Sequence, residues 1–425
     1  MKLYFLAIEI LIVFFFLFMI VKKKQLSVVY FLPFLFSRSV ITSTLPASVN
    51  YLIITLTVFY FMFYNLTFVK KNFFTILISF YFIILLLNTD DFEKIRPYLF
   101  GSITLFLMIG IIPEIYKNYS ESVVFDELAN ASILVLLIFC TNSLFSTFYN
   151  YNPNQMYGIN SGVLYGNIVH SDFHVLPLAI FIVFRKALRD KNLFYLLVYL
   201  ITIFITILTF RRTVMALSIL GSIICIYEFM SFQNIRKMFI LILSLSVVLI
   251  LVVFSTGFLD VFWERYELRN LENRDIESEL RYQELGLVYK DLFVHYDYSP
   301  WFGYKLFQFG GQNYGKGIFG HRPLHTDLMV LIHSSGLLGL LLYTMMVGYA
   351  FITVWFRLKA KKDFIQFLFV FLVFAVFFGS GRFTNTASSL IIYFVLFIPF
   401  SKNKKFFYHP RHNSNYIKEN HLLNS

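Results

Sequence analysis

Apolar runs of roughly twenty residues follow one another along almost the whole chain, and a bilayer crossing takes about 20 consecutive, mostly apolar residues. Runs lie at 3–21, 26–46, 48–69, 73–88, 98–116, 128–148, 164–184, 193–210, 213–230, 238–258, 326–356, 364–379 and 386–400. The second is interrupted by Pro33, Arg38 and Pro46 and can be read as re-entrant, so 12 or 13 spans are expected. Residues 1–21 resemble the apolar part of a secretory signal. They lack a small-residue cleavage site and are followed by Lys22, Lys23 and Lys24, which reads as an uncleaved first span. With 58% apolar and only 14% charged residues, a soluble enzyme and a disordered chain are excluded. Cys140 and Cys225 both fall inside apolar runs, which argues against a disulfide scaffold. The expected fold is an all-α polytopic membrane protein of 12–13 transmembrane helices.

Charge orders these spans. Lys and Arg number 36 against 24 Asp and Glu, a formal net charge of +12. In a soluble chain such an excess points to nucleic acid; here orientation accounts for it first, because cytoplasmic connections collect Lys and Arg. The clusters Lys22–Lys24, Lys70–Lys71, Lys117, Arg185–Lys191, Arg236–Lys237, Arg357–Lys362 and the tail from Lys402 all fall on one face if the N-terminus is outside. The one long connection, 259–325, then lies on the opposite face between the tenth and eleventh spans. It separates an N-terminal transmembrane bundle (1–258) from C-terminal transmembrane helices (326–400) and a cytoplasmic tail (401–425). Within it Ile276, Leu280, Leu287 and Leu292 combine helical spacing with charged neighbours, the pattern of an amphipathic helix lying on a membrane surface.

The two faces differ in kind of cation. The cytoplasmic set holds 16 Lys and 5 Arg, the outer set 10 Arg and 4 Lys. Lysine suffices for orientation, whereas the planar fork of arginine binds phosphate or carboxylate at two points and keeps its charge when partly buried. Arg211–Arg212 sits between two apolar runs, Arg382 in the turn Gly379-Ser380-Gly381-Arg382, and Arg38 inside the weak second span. Charges at such depth face a cavity or a partner. One reading is snorkelling or pairing with a nearby acid; the other is an outward-facing cavity for a membrane-embedded anion such as a lipid diphosphate.

The long connection ends in Ser299-Pro300-Trp301-Phe302-Gly303-Tyr304-Lys305, followed by His325-Thr326-Asp327-Leu328 and by Gly336-Leu337-Leu338-Gly339 in the next span. Thr209-Phe210-Arg211-Arg212 precedes an earlier span, Arg281 lies 19 residues before Pro300, and Tyr165-Gly166-Asn167 opens the seventh run. In order and spacing over roughly 160–345, this set resembles the O-antigen ligase and O-antigen polymerase superfamily. That family has a Ser-Arg at a span start, an arginine in a large periplasmic loop, a Pro-x-x-Gly-x-Gly turn and a His-Asn before Gly-x-x-Gly. Arg211, Lys305 and Thr326 depart from the pattern, standing where the family has Ser, the second Gly and Asn.

The resemblance implies an inverting, metal-independent glycosyltransferase of the bacterial inner membrane, working without a cofactor on the periplasmic face. The donor would be an undecaprenyl-diphosphate-linked glycan. A polymerase passes it to another lipid-linked glycan, and a ligase to lipid A core or another acceptor. Membrane lipids, a flippase and a chain-length regulator are further implied partners. In this reading Arg212 and Arg281 stabilise the departing diphosphate and His325 takes the proton of the acceptor hydroxyl, since pre-placed cations and a histidine titrating near neutrality suit those tasks. Arg211, Arg322, Arg382, Lys305, Trp301, Gly303 and Asp327 would line the substrate site, with Asp327 either orienting an imidazole or capping the next helix. No Asp-x-Asp diphosphate–metal motif is present; Asp275-x-Glu277-x-Glu279 reads as a solvated helix face. His170, Asp172 and His174 have spacing that permits a metal but lack an evident third ligand. From a different class, a lipid-linked glycan flippase would have short loops and internal repeats; the 67-residue loop and the lack of a visible repeat weigh against it.

Overall fold

A computed structural model describes residues 2–40, 45–151, 164, 166, 170–209, 211–229, 280–320, 322–380 and 383–402, with isolated positions between 247 and 263. The expected span 238–258, most of 259–279, His321, Arg382 and the tail beyond 402 lie outside the described residues, as do Tyr165, Asn167 and the side chains of His170 and Asp172. The described residues are mostly helical, with no strand among them: α1 (Lys2–Lys23), α2 (Phe31–Val40), α3 (Ala47–Tyr64), α4 (Phe68–Lys71), α5 (Phe73–Leu86), α6 (Phe92–Tyr116), α7 (Glu121–Phe148), α8 (Leu176–Asp190), α9 (Leu193–Leu208), α10 (Arg212–Phe229), α11 (Leu280–Phe293), α12 (Asp327–Trp355), α13 (Lys361–Ser380) and α14 (Thr386–Leu396). Among the described residues, seven helical runs are long and apolar enough to cross a membrane, and α5, α9 and α14 are shorter apolar helices.

The first of those runs, Tyr4–Arg38, is folded back on itself. Lys24 takes a left-handed φ of 51°, a 3₁₀ segment Lys24–Tyr30 follows, and α2 returns beside α1. Phe16 stacks on Phe31 and Phe34, and Arg38 forms an ion pair with the buried Glu9. Pairing with an acid is therefore what the structure shows for Arg38.

At the centre, α8 is buried over nearly its whole length between α7, α9 and α10. Phe184 stacks on Tyr199 at 3.9 Å, and Gly221 of α10 leaves room for the Phe369 ring of α13. Arg185, placed in a cytoplasmic cluster by sequence, is buried; it donates to Glu228 at 2.7 Å and to Gln366, beside the rings of Phe125 and Phe181. Removing one member of such a pair strands a buried charge.

Connections meet at two ends. At one, Lys23 pairs with Glu127 at 2.6 Å, Lys362 with Glu121 at 3.1 Å, and Lys186 and Arg189 with Asp126. Lys402 N–H donates to the Tyr119 carbonyl at 2.8 Å. At the other, Lys305, Leu306 and Gln308 dock on Thr89 and Asp90 of the α5–α6 turn, and Phe307 meets Phe383 of the turn before α14.

Candidate functional site

The segment after α11 is held by its own buried polar groups. Asp291 accepts from the Gly315 amide at 2.7 Å and from the Tyr298 hydroxyl at 3.3 Å. Gly315 has φ +56°, and a Cβ there would meet Leu287 of α11 at 2.6 Å. The buried face of α11 is Glu284, Val288, Asp291 and Leu292, and Leu280 is exposed. The covered face carries two carboxylates and packs against protein, whereas Tyr282, Leu285 and Tyr289 are exposed like Leu280; Ile276 lies outside the described residues.

The turn at Pro300–Gly303 meets α12 where that helix is broken. Gly336 has φ +64° and ψ −168°, a conformation essentially confined to glycine. Such a break orphans backbone groups on both sides, and the turn satisfies them. Leu337 and Leu338 amides donate to the carbonyls of Pro300 (2.9 Å) and Trp301 (3.2 Å), and the Tyr304 amide donates to the His333 carbonyl at 2.7 Å. The Ser335 carbonyl accepts from Tyr81 of α5 at 2.7 Å. The two segments touch so closely that a Cβ on Gly303 (φ +76°) would lie 2.5 Å from the His333 carbonyl, and one on Gly336 2.3 Å from the Trp301 backbone. Gly303 thus serves backbone approach. The same turn leaves the Trp301 ring 62% exposed. His333 is buried among Tyr298, Tyr304 and Tyr314, its Nε2 donating to the Asn313 carbonyl at 3.0 Å.

Lys305 pairs with Asp90, Leu306 N–H donates to the Thr89 hydroxyl at 3.2 Å, and buried Phe307 inserts between Phe82, Tyr98 and Phe383. Asp327 accepts from the Phe383 amide at 2.6 Å. The cap of α12 is Thr326, whose hydroxyl accepts from the Met329 amide at 3.2 Å. Of the two roles expected for Asp327, the cap belongs to its neighbour.

On this scaffold three titratable side chains converge. Glu284 is fully buried, and its Oε1 accepts from Arg322 Nε at 2.6 Å and from His325 Nδ1 at 2.9 Å. Burial opposes ionisation of Glu284, but the hydrogen bonds and charges of His325 and Arg322 prevail and hold its carboxyl below the usual range. With the carboxylate accepting, the ring proton sits on Nδ1 and Nε2 is the basic nitrogen. The His325 side chain is 31% exposed, so the imidazole is oriented by a buried acid yet reachable from outside. Arg281 lies one turn before Glu284 on the same face of α11.

Arg211 lies over the Phe173 ring at 5.1 Å, and exposed Arg212 is the first residue of α10. Next to Phe173, His174 stacks on Phe377 at 4.1 Å and lines, with Asp327, Tyr343, Ser388 and Tyr393, a cavity of about 20 Å³. Phe173, beneath Arg211, precedes His174, which shares this cavity with Asp327, two residues after His325. Sequence reading missed Glu284, which sits 41 residues from His325 in a stretch crowded with acids; no local signal marks it. No family model, curated protein or solved structure matches the chain.

Proposed function

We propose that this chain is a polysaccharide polymerase of the bacterial inner membrane. It joins undecaprenyl-diphosphate-linked repeat units at the periplasmic face by inverting glycosyl transfer without a metal ion. The observation that carries this reading is the buried Glu284 carboxylate hydrogen-bonded to both His325 and Arg322 where the loop re-enters the helical bundle. In this mechanism His325 Nε2 takes the proton of the acceptor hydroxyl as its oxygen attacks the anomeric carbon. The bond between that carbon and the phosphate oxygen breaks, and the electron pair leaves with the lipid diphosphate. Glu284 stabilises the imidazolium that forms, and solvent carries the proton away. Arg212, with Arg211 and Arg281, meets the charge that develops on the departing diphosphate, a contribution that grows where water is sparse. The exposed Trp301 ring offers a face for a sugar.

The test is glycan transfer by the purified protein in liposomes, from undecaprenyl-diphosphate glycan and with a chelator present. Activity should survive chelation and fall by at least about 10²-fold in Arg212→Ala, Arg281→Ala and His325→Ala. Full activity in all three variants overturns the site, and activity lost to the chelator and restored by a divalent ion overturns the metal-free mechanism. Deleting the gene separates polymerase from ligase. Single repeats joined to the surface anchor mark polymerase loss, and unattached lipid-linked polymer marks ligase loss.

A further inference from the structure

Arg322 carries donors that the junction with Glu284 does not use. Arginine and a carboxylate frequently pair through two parallel N–H bonds. Here Glu284 takes a single bond, from Nε to Oε1 at 2.6 Å, and the same oxygen accepts from His325 Nδ1 at 2.9 Å. Among the described residues neither Nη of Arg322 has a protein partner, and neither belongs to the enclosed polar atoms that lack one, so both open outward. The same holds for His325 Nε2. Both side chains are 31% exposed, whereas Glu284 beneath them is fully buried. An incoming molecule therefore meets the guanidinium edge and the imidazole nitrogen, not the acid that holds them.

That edge is held in place. The Arg322 amide donates to the Phe319 carbonyl at 3.0 Å, and the Arg322 carbonyl accepts from the buried Tyr314 hydroxyl at 3.1 Å. Gly311 packs so near that a Cβ on it would lie 2.8 Å from the same carbonyl. With backbone and Nε both fixed, little side-chain freedom is left to lose on binding. Two Nη donors in one plane match the two oxygens of a carboxylate. Position decides which molecule brings it. In inverting transfer the attacking and departing oxygens stand on opposite sides of the anomeric carbon, and the base stands with the attacking one. Arg322 shares its anchoring oxygen with that base, so its free edge lies on the acceptor's side, away from the departing diphosphate. We propose, building on the polymerase reading, that Arg322 selects an acceptor whose terminal sugar carries a carboxylate, of the uronic acid class. The two Nη groups hold the carboxylate, and His325 Nε2 addresses a hydroxyl of the same sugar.

Binding of small glycosides tests this apart from glycosyl transfer. Methyl glucuronide and methyl glucoside are titrated against the full chain in lipid nanodiscs, with binding read by saturation-transfer NMR. Wild type is compared with Arg322→Gln and Arg322→Lys. Wild type should bind the glucuronide about tenfold more tightly, the gain expected of charge-assisted hydrogen bonds. Arg322→Gln, which can still donate to Glu284, should lose that preference. Arg322→Lys, a point charge without the fork, should keep only part of it. Equal binding of the two glycosides by wild type, or full preference in both variants, overturns the assignment. So does inorganic diphosphate that displaces the glucuronide and depends more strongly on Arg322, since the edge would then serve the donor. A glucuronide preference in a protein that transfers no glycan upholds the carboxylate site and overturns the polymerase reading alone.

Discussion

The two ends of the bundle solve the same problem, joining helices through charged connections, in different ways. At the lysine-rich end the pairs of Lys23, Lys186, Arg189 and Lys362 link many short connections, and each involves a side chain at least 10% exposed on both partners. Pairs of this kind are worth about 0–1 kcal/mol each, so apart from the buried Arg185–Glu228 pair the end is held by number. At the loop end, Glu284 and Asp291 are buried acceptors with donors from several segments, and a glycine–glycine contact locks the loop to a broken helix. Redundancy tolerates loss. A single convergent junction fixes geometry and does not.

Four substitutions sharpen that contrast. The largest effect belongs to Gly336→Ala, where a Cβ at φ +64° collides with the Trp301 backbone. It should cost more than about 3 kcal/mol in thermal denaturation. Gly348→Ala, in the same helix with nothing within 4 Å of its Cβ, should be neutral or stabilising by up to about 1 kcal/mol. Equal stabilities for the two variants would dissolve the locked junction.

Glu284→Gln comes next. It leaves His325 without its anionic partner and should lower glycan transfer by roughly 10–100-fold. The same variant has a pH signature. The folded-state carboxyl is held below its ordinary range, so its stabilisation is complete above the unfolded value of about 4.3 and is lost as pH falls through the lower folded value. Melting temperatures across that acidic window should fall more steeply for wild type than for Glu284→Gln. Parallel curves would remove Glu284 from the junction. Smallest is Lys23→Ala, expected to cost less than about 1 kcal/mol by denaturation although its ion pair with Glu127 is short. A larger loss would mean that the lysine end also depends on single contacts.

Much of this architecture is legible in the chain. Apolar runs locate helices because backbone groups in lipid must be satisfied within the helix, and the runs 73–88, 193–210, 213–230 and 326–356 match helices within a few residues, whereas in the run 164–184 the α-helix begins only at Leu176 and continues to Asp190. The Pro300–Gly303 turn and Gly336 stand out as motifs, but their meaning, mutual capping across a helix break, needs both partners in view. Glu284 was invisible because its distinction from Glu277 or Glu279 is burial, a property of the fold. Lys305 resembled a substrate cation by position alone, and Asp90, far upstream, claims it. Arg38 was visible as an anomaly; its partner Glu9 was hidden because α1 and α2 had not been recognised as one hairpin.

The break at Gly336 also sets depth. The nineteen residues after it, Leu337–Trp355, make a helix of about 28 Å, enough by themselves to cross a hydrocarbon core of about 30 Å. The nine before it, Asp327–Ser335, extend only about 14 Å and are surplus to that crossing. If Leu337–Trp355 is the crossing, these nine residues form a shelf beyond the oily layer. Under the proposed function, His325 and Glu284 at the edge of that shelf would meet a lipid diphosphate at headgroup depth.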